Sequence, residues 1–241
     1  MIRIDHLLVR RGLFDSRAQA QAAIAAGLVK VDGILVRKTA EKVAEDAKLE
    51  AEPAHRWVGR GALKLDHALS LWPLAVEGRV VLDIGASTGG FTEVCLERGA
   101  IRVFAVDVGQ GQLHARLAAD PRVINLEQTD ARSLTTALIP DSPQLIVCDA
   151  SFIGLAKVLP AALDLASVGG DLITLVKPQF EAERPGGGKK GVVKDANAHA
   201  AAVASVSAWL ESVGWSVQST THSPITGGDG NVEFLLWAKK R

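Results

Sequence analysis

Val80-Val81-Leu82-Asp83-Ile84-Gly85-Ala86-Ser87-Thr88-Gly89-Gly90-Phe91-Thr92 is an apolar run that breaks into glycines and hydroxyls before a helical pattern begins. The order predicts strand, tight loop, helix. Glycine is needed where the backbone turns with positive φ or approaches a ligand, and the first turn of a helix leaves its N–H groups without intrahelical partners. Gly85, Ser87 and Gly89 are therefore candidate contacts of a bound cofactor.

The glycine spacing is wrong for G-x-G-x-x-G, whose glycines serve a pyrophosphate. Asp83 is expected inside the turn, where a carboxylate would repel a pyrophosphate yet could meet an ammonium, directly or through water. Asp107 closes the next apolar run, 103–106, about where a ribose-binding carboxylate follows the first helix. Acid at both ends suits S-adenosylmethionine, which has a ribose and a cationic amino acid but no phosphate. The bland alternative is an ordinary glycine turn of an α/β protein.

A chain of 241 residues with 48% hydrophobic side chains can hold one large α/β domain, or a medium one and a small appendage. No window reaches the roughly 18 uninterrupted apolar residues of a membrane span, and Met1-Ile2-Arg3-Ile4-Asp5 has no signal-peptide core, so a cytoplasmic location and no membrane partner are expected. Cys95 and Cys148 lie in apolar segments and read as buried small side chains, with no metal site implied. A net charge of +0 means that nucleic-acid affinity must come from local segregation of charge. The first 42 residues show such segregation, with Arg3, Arg10, Arg11, Arg17, Lys30, Arg37, Lys38 and Lys42 outnumbering Asp5, Asp15, Asp32 and Glu41.

Within that front segment, Ile4, Leu7 and Leu8 have helical spacing up to Gly12, and Ser16 with Gln19 forms a capping box for a second helix that ends at Gly27. Asp32-Gly33 between two apolar triplets predicts a hairpin, since a type I′ turn needs φ > 0 twice. Pro53 marks a boundary, which gives a small α+β domain over 1–54, a linker over 55–61 and an α/β domain over 62–241. The pattern R-x-D-x-x-L-x-x-R-G ahead of S-R-x-x-A-x-x-x-I-x-x-G-x-V-x-V-D-G resembles the S-four-type RNA-binding domain. By that resemblance Arg3, Arg10, Arg11, Arg17, Lys30, Arg37 and Lys38 are RNA-binding candidates, phosphate contacts that position rather than specify.

In the larger domain, Leu65, Ala68, Leu69 and Trp72 make one helix face and leave Lys64 off its centre. Apolar runs at 80–84, 103–106, 123–126, 145–148 and 172–176, with helical stretches between them, predict a parallel sheet. Helices are expected over 155–167 and 195–213. The last runs, 215–221 and 232–239, lack a crossover between them and should pair antiparallel at the sheet edge.

Ligands of an open parallel sheet lie beyond the carboxyl ends of its strands, where Asp107, Asp130, Asp149 and Lys177 fall. A lysine closing an apolar strand is unusual. Burial disfavours its charge, as would a second cation nearby, and both bring an amine toward useful base strength. A purely structural pair with Asp149 is the alternative. Lys64, Asp149, Lys177 and Glu233 occur in K-D-K-E order, and with Trp57-Val58-x-Arg60-Gly61-x-x-Lys64-Leu65, Lys177-Pro178-Gln179-Phe180-Glu181 and Ser223-Pro224-Ile225-Thr226-Gly227-x-x-Gly230-Asn231-x-Glu233-Phe234 the chain resembles the TlyA (hemolysin A) family. That family joins an S-four-type domain to an FtsJ-like ribose 2′-O-methyltransferase domain.

The resemblance implies a seven-stranded, Rossmann-like class I methyltransferase sheet, S-adenosylmethionine as cofactor, and ribosomal RNA or ribosomal subunits as partners, with cytidine the modified nucleoside. It also implies that Lys177 is general base for the 2′-hydroxyl, that Lys64 helps hold Lys177 neutral, and that Asp149 and Glu233 orient the lysines and the hydroxyl. Phe91 would face the amino-acid end of the cofactor, Asp130-Ala131 its adenine end, and Asp149 its methionine end. Gln110 stands where the family commonly has an aromatic, and the loop 185–190 is unusually glycine-rich. Two rival readings are an RNA-binding assembly factor without catalysis, which degraded loop or tetrad residues would favour, and a pore-forming toxin, for which the sequence shows no amphipathic membrane stretch or β-barrel alternation.

Overall fold

The computed structural model describes residues 1–181, 192–227 and 230–241, so the glycine-rich stretch at 185–190 lies outside the described residues. The chain divides into two units, Met1–Arg60 and Gly61–Arg241.

The first unit contains β1 (Ile2–Arg3), α1 (Ile4–Arg10), α2 (Arg17–Ala25), β2 (Val29–Val31), β3 (Ile34–Leu35), β4 (Lys42–Val43) and β5 (Leu49–Ala51). Its core is Ile4, Leu7 and Leu8 of α1 packed on Ala20, Ala23 and Ile24 of α2 and on Val29. Ser16 accepts the N–H of Gln19 at 3.3 Å, while the Gln19 amide returns to the N–H of Asp15 at 3.1 Å, one residue earlier than a standard capping box. Asp32 (φ 51°) and Gly33 (φ 79°) make the expected left-handed turn. The Asp32 carboxylate also accepts the N–H of Lys48 at 2.9 Å, next to β5, which completes the order β3-β2-β5. The two-residue pairing of β1 with β4 is too short to leave a periodic signal in the sequence.

The second unit follows with α3 (Ala62–Leu71), β6 (Val80–Ile84), α4 (Gly90–Glu97), β7 (Arg102–Val106), α5 (Ala115–Ala118), β8 (Val123–Leu126), β9 (Leu145–Cys148), α6 (Leu155–Val158), α7 (Pro160–Leu165), β10 (Asp171–Val176), α8 (Pro178–Glu181), α9 (Ala196–Ser212), β11 (Trp215–His222) and β12 (Phe234–Lys240). Seven strands form one sheet in the order β11-β12-β10-β9-β6-β7-β8. The five strands from β10 to β8 run parallel, and β12 lies antiparallel between β10 and β11, as the missing crossover predicts. Among the described residues no helix is long and apolar enough to cross a membrane.

Two expectations are corrected. The helix over 155–167 is two short helices, α6 and α7, because Pro160 lacks the N–H that would continue the first and instead opens the second. Between β8 and β9 the chain makes only a 3₁₀ turn, Ala131–Ser133, in place of a crossover α-helix.

The loop of Val80–Thr92 has the predicted form, with Gly85, Ser87 and Gly89 at positive φ. Gly89 caps α4 at φ 95°, and a Cβ there would lie 2.3 Å from Leu117 Cδ1 and 2.8 Å from Leu113 Cδ1. It is a packing point between α4 and the segment around α5. Gly89→Ala should therefore lower unfolding free energy by about 1–3 kcal/mol, read from urea titration, through backbone strain and overpacking. An unchanged urea midpoint would contradict that role.

Candidate active site

A cavity of about 530 Å³ opens beyond the carboxyl ends of β6, β7 and β9, and Gly85, Ser87, Asp107, Thr129, Asp130 and Asp149 contribute to its wall. Its size suits a cofactor-sized ligand. Asp107 spans two loops, since one oxygen accepts the N–H of Ser87 and the other that of Gly109, both at 2.8 Å. Asp130 caps the 3₁₀ turn through the N–H of Arg132 at 2.9 Å and pairs with the Arg132 guanidinium at 2.6 Å, which holds its carboxyl down at about 2. Arg132 lines the same cavity and offsets Asp130, and the carboxylate of Asp107 remains in the wall with its oxygens met by backbone N–H groups, a poor neighbour for a pyrophosphate.

Beside this wall the four residues of the K-D-K-E series meet. Lys64, Lys177 and Glu233 are 5%, 4% and 3% exposed, although they come from α3, the end of β10 and the residue before β12. Asp149, at the end of β9, joins them. Its Oδ1 lies 2.6 Å from Lys177 Nζ, and its Oδ2 lies 3.2 Å from Lys64 Nζ. Lys64 Nζ is also 2.7 Å from Glu233 Oε2, at ion-pair distance without hydrogen-bond alignment. Lys177 donates further to the carbonyl of Asp149 at 3.0 Å and to Ser151 Oγ at 2.8 Å. Lys64 therefore reaches Lys177 through a bridging carboxylate, where direct pressure of one cation on the other was expected. Two buried ammonium groups need such a counter-charge between them.

Residues 57–240 match the FtsJ-like methyltransferase family, and residues 2–49 match the S4 domain. The chain belongs to the FtsJ-like methyltransferase family. It is 47% identical, over 98% of its length and 89% of the relative, to the 16S/23S rRNA (cytidine-2′-O)-methyltransferase TlyA of Mycobacterium tuberculosis (strain CDC 1551 / Oshkosh). A solved structure from Streptococcus thermophilus, described as a candidate hemolysin, superposes with TM-score 0.79 at 41% identity over 99% of this chain and 88% of that one. Magnesium protoporphyrin IX methyltransferase (ChlM) from Synechocystis PCC 6803, solved with S-adenosylhomocysteine, shares the fold at TM-score 0.53 and 16% identity over 75% of this chain and 84% of that one. The fold is thus that of the S-adenosylmethionine-dependent methyltransferases, and the acidic cavity wall fits that cofactor.

Not every expected contact of this methyltransferase reaches the cavity. Asp83 lies within β6, paired on both sides with Ala105 and Val147, so the strand continues through the position expected to turn. It is wholly buried, and Thr92 Oγ1 donates to it at 2.7 Å. Gly89 and Phe91 also stand behind the wall, Gly89 at the start of α4 and Phe91 in its buried face. Gly85, Ser87, Asp107, Asp130 and Asp149 do line it.

Sequence reasoning missed Ser151, Phe152, Gln112 and Glu127. Phe152 directly follows the strand-end triplet Asp149-Ala150-Ser151, has φ 68°, and is 76% exposed at the cavity rim with its ring 5.3 Å from that of Phe180. A bulky residue at positive φ is strained, and such strain collects at functional sites. That signal lies in the backbone and is invisible in the sequence.

The cations of the S4 unit divide into two groups. Arg3 and Arg17 both pair with buried Asp5, at 3.0 and 2.9 Å, and hold its carboxyl well below the usual range, Arg3 most strongly. Arg10 pairs with Glu45 at 2.7 Å, and Arg11 donates to the carbonyls of Ala47 and Glu45. Lys30, Arg37 and Lys38, on and beside the β2–β3 hairpin, are exposed.

Burial pushes the Asp83 carboxyl up to about 7 from its usual 3.8, with the Asp149 and Asp107 charges adding to the rise and Thr92 opposing it. The folded state therefore binds a proton that the unfolded chain has lost between those values. The stability contribution of protonated Asp83 is full below about pH 3.8 and fades as pH rises through about 7. The thermal midpoint of Asp83→Asn, which mimics the protonated acid, should consequently fall less from pH 5 to 8 than that of the parent. Parallel pH profiles would show that Asp83 keeps its ordinary acidity.

Proposed function

We propose that this chain methylates the ribose 2′-hydroxyl of a cytidine in ribosomal RNA, with Lys177 as the general base. The observation that carries the reading is the buried Lys64–Asp149–Lys177 bridge, set against an acidic cavity through Asp149. The rRNA (cytidine-2′-O)-methyltransferase among the relatives supports the choice of substrate.

S-adenosylmethionine would supply a methyl group on a positively charged sulfur. The chain must then remove the hydroxyl proton as the oxygen takes the methyl, because a neutral ribose hydroxyl is a poor nucleophile. Lys177 Nζ is the proton's destination in this reading. Its ammonium donates to the Asp149 carbonyl and Ser151 Oγ and is ion-paired with Asp149 Oδ1, so that ion pair must loosen when the amine is neutral. With both lysines protonated and both acids ionised, the cluster sums to zero charge. A cationic methyl donor beside Asp149 adds one positive charge, and release of the Lys177 proton cancels it. Lys64, gripped by Glu233 and Asp149, fixes the carboxylate that aims Lys177. Phe152, exposed at the rim beside Phe180, offers a face on which a nucleobase can stack.

RNA affinity is assigned to the front domain, residues 1–54, and chemistry to residues 62–241, joined by the linker 55–61. Lys30, Arg37 and Lys38 are exposed and available to a phosphate backbone, whereas Arg3, Arg10, Arg11 and Arg17 hold partners within their unit. Replacing these three with alanine should reduce the salt dependence of ribosomal RNA binding by up to about three in log–log slope and leave cofactor affinity unchanged. An unaltered slope would remove the hairpin from the RNA interface.

The catalytic assignment is tested by single-turnover methylation. Lys177→Ala should leave RNA and cofactor binding nearly unchanged and lose about 10²–10⁴-fold in rate. Lys177→Arg should be equally slow, because guanidinium stays protonated. A near-parental rate for Lys177→Arg would make residue 177 a fixed charge and not a base.

A further inference from the structure

Asp107 can only accept hydrogen bonds when ionised, and a ribose diol both donates and accepts. A carboxylate alone therefore leaves the diol oxygens without a donor. The cavity wall holds one within reach. Gln112 lines the same end of the cavity as Asp107 and Ser87, and its carboxamide lies across the backbone of Gly109. A Cβ at Gly109 would fall 1.6 Å from Gln112 Nε2 and 3.1 Å from Asp107 Oδ1, so amide nitrogen and carboxylate border one spot.

The amide is oriented as well as placed. Ser87 Oγ donates to Gln112 Oε1 at 3.2 Å, which holds the amide oxygen on Ser87 while Nε2 lies over Gly109, near the Asp107 carboxylate. The main chain beneath is pinned, because the Glu127 carboxylate accepts the N–H groups of Gly111, Gln112 and Leu113 at 2.8, 2.6 and 2.9 Å. Those backbone bonds, that of Leu113 first, hold the Glu127 carboxyl below its usual range. On this pinned main chain the Gln112 side chain is left to adjust to a ligand, and a Cβ at residue 109 would take the space its Nε2 occupies.

We propose that Gln112 is a cofactor-positioning residue, the hydrogen-bond donor that completes the ribose-diol subsite opposite Asp107, and that Gly109 is required to admit its carboxamide. The inference rests on the S-adenosylmethionine-dependent activity proposed above and adds a residue to its binding site. Gly109 has no positive φ, and the atoms its Cβ would meet first belong to the flexible end of Gln112, so Gly109→Ala can fold by expelling that side chain.

The test is calorimetric titration of the full chain with S-adenosylhomocysteine and with its 2′,3′-dideoxyribose analogue. Gln112→Ala should bind S-adenosylhomocysteine about tenfold more weakly, the loss of one hydrogen bond, and should bind the dideoxy analogue as the parent does. Gly109→Ala should show the same selective loss. In the Gln112→Ala background the further change Gly109→Ala should cost nothing, since the two residues act through one contact. Equal losses on both ligands, no loss on either, or additive losses in the double variant would each overturn the assignment. A parent that binds neither ligand would overturn both this inference and the activity on which it rests, whereas a parent that binds both with unchanged Gln112 variants overturns this inference alone.

Discussion

One carboxylate, that of Asp149, lies between two buried ammonium groups, and the geometry of this end of the sheet follows from it. Each ion costs several kcal/mol to remove from water, and removing one partner of such a pair typically destabilises by about 3–5 kcal/mol. The charges must therefore be brought together by rigid elements. The order β12-β10-β9-β6 sets the ends of three of these strands side by side. Pairing of Thr174 with Cys148 and of Val176 with Phe234 then fixes Lys177, Asp149 and Glu233 in adjacent positions. The fourth charge comes from α3, which Arg98 of the α4 C-terminus ties down by donating to the Leu69 carbonyl and the Asp66 carboxylate. A glycine at 227 is needed there too, since a Cβ would lie 2.4 Å from Glu233 Oε1.

Much of this arrangement is legible in the chain because local signals and tertiary demands agree. The apolar run into Gly85, the Asp32-Gly33 turn and the unbridged final pair of strands each have one physical solution, and the structure adopts it. Legibility ends where a decision belongs to neighbours distant in sequence. Asp83 reads as a turn residue, yet pairing on both sides keeps it in the strand. Pro160 could open a helix or end one, and here it separates two. The two lysines are readable as a set, but the carboxylate between them is a matter of distance, which no spacing of residues encodes. Gln112 gives no periodic signal at all, because its placement depends on a missing side chain at Gly109 and on three amides held by Glu127.

Charge pairing also shapes the nucleic-acid side. A net charge of +0 hides an uneven distribution, and in the S4 unit Asp5 and Glu45 engage arginines that composition alone would offer to RNA. In the methyltransferase unit Arg79, Arg98, Arg116, Arg122 and Arg132 likewise face acids. These are mostly exposed pairs, each worth little for stability. Among the described residues, the exposed cations outside these pairs include Lys30 and Arg37 of the hairpin region.

The central claim, that the cluster acts on a ribose hydroxyl and not on a base, is tested most directly by the chemistry of the product. The purified chain would be incubated with ribosomal subunits and methyl-labelled S-adenosylmethionine, and the recovered RNA hydrolysed in alkali, which cannot cleave the linkage beside a 2′-O-methylated ribose. The account predicts label in alkali-resistant dinucleotides whose 5′ nucleoside is cytidine. Label recovered in mononucleotides would place the methyl on a base and contradict it.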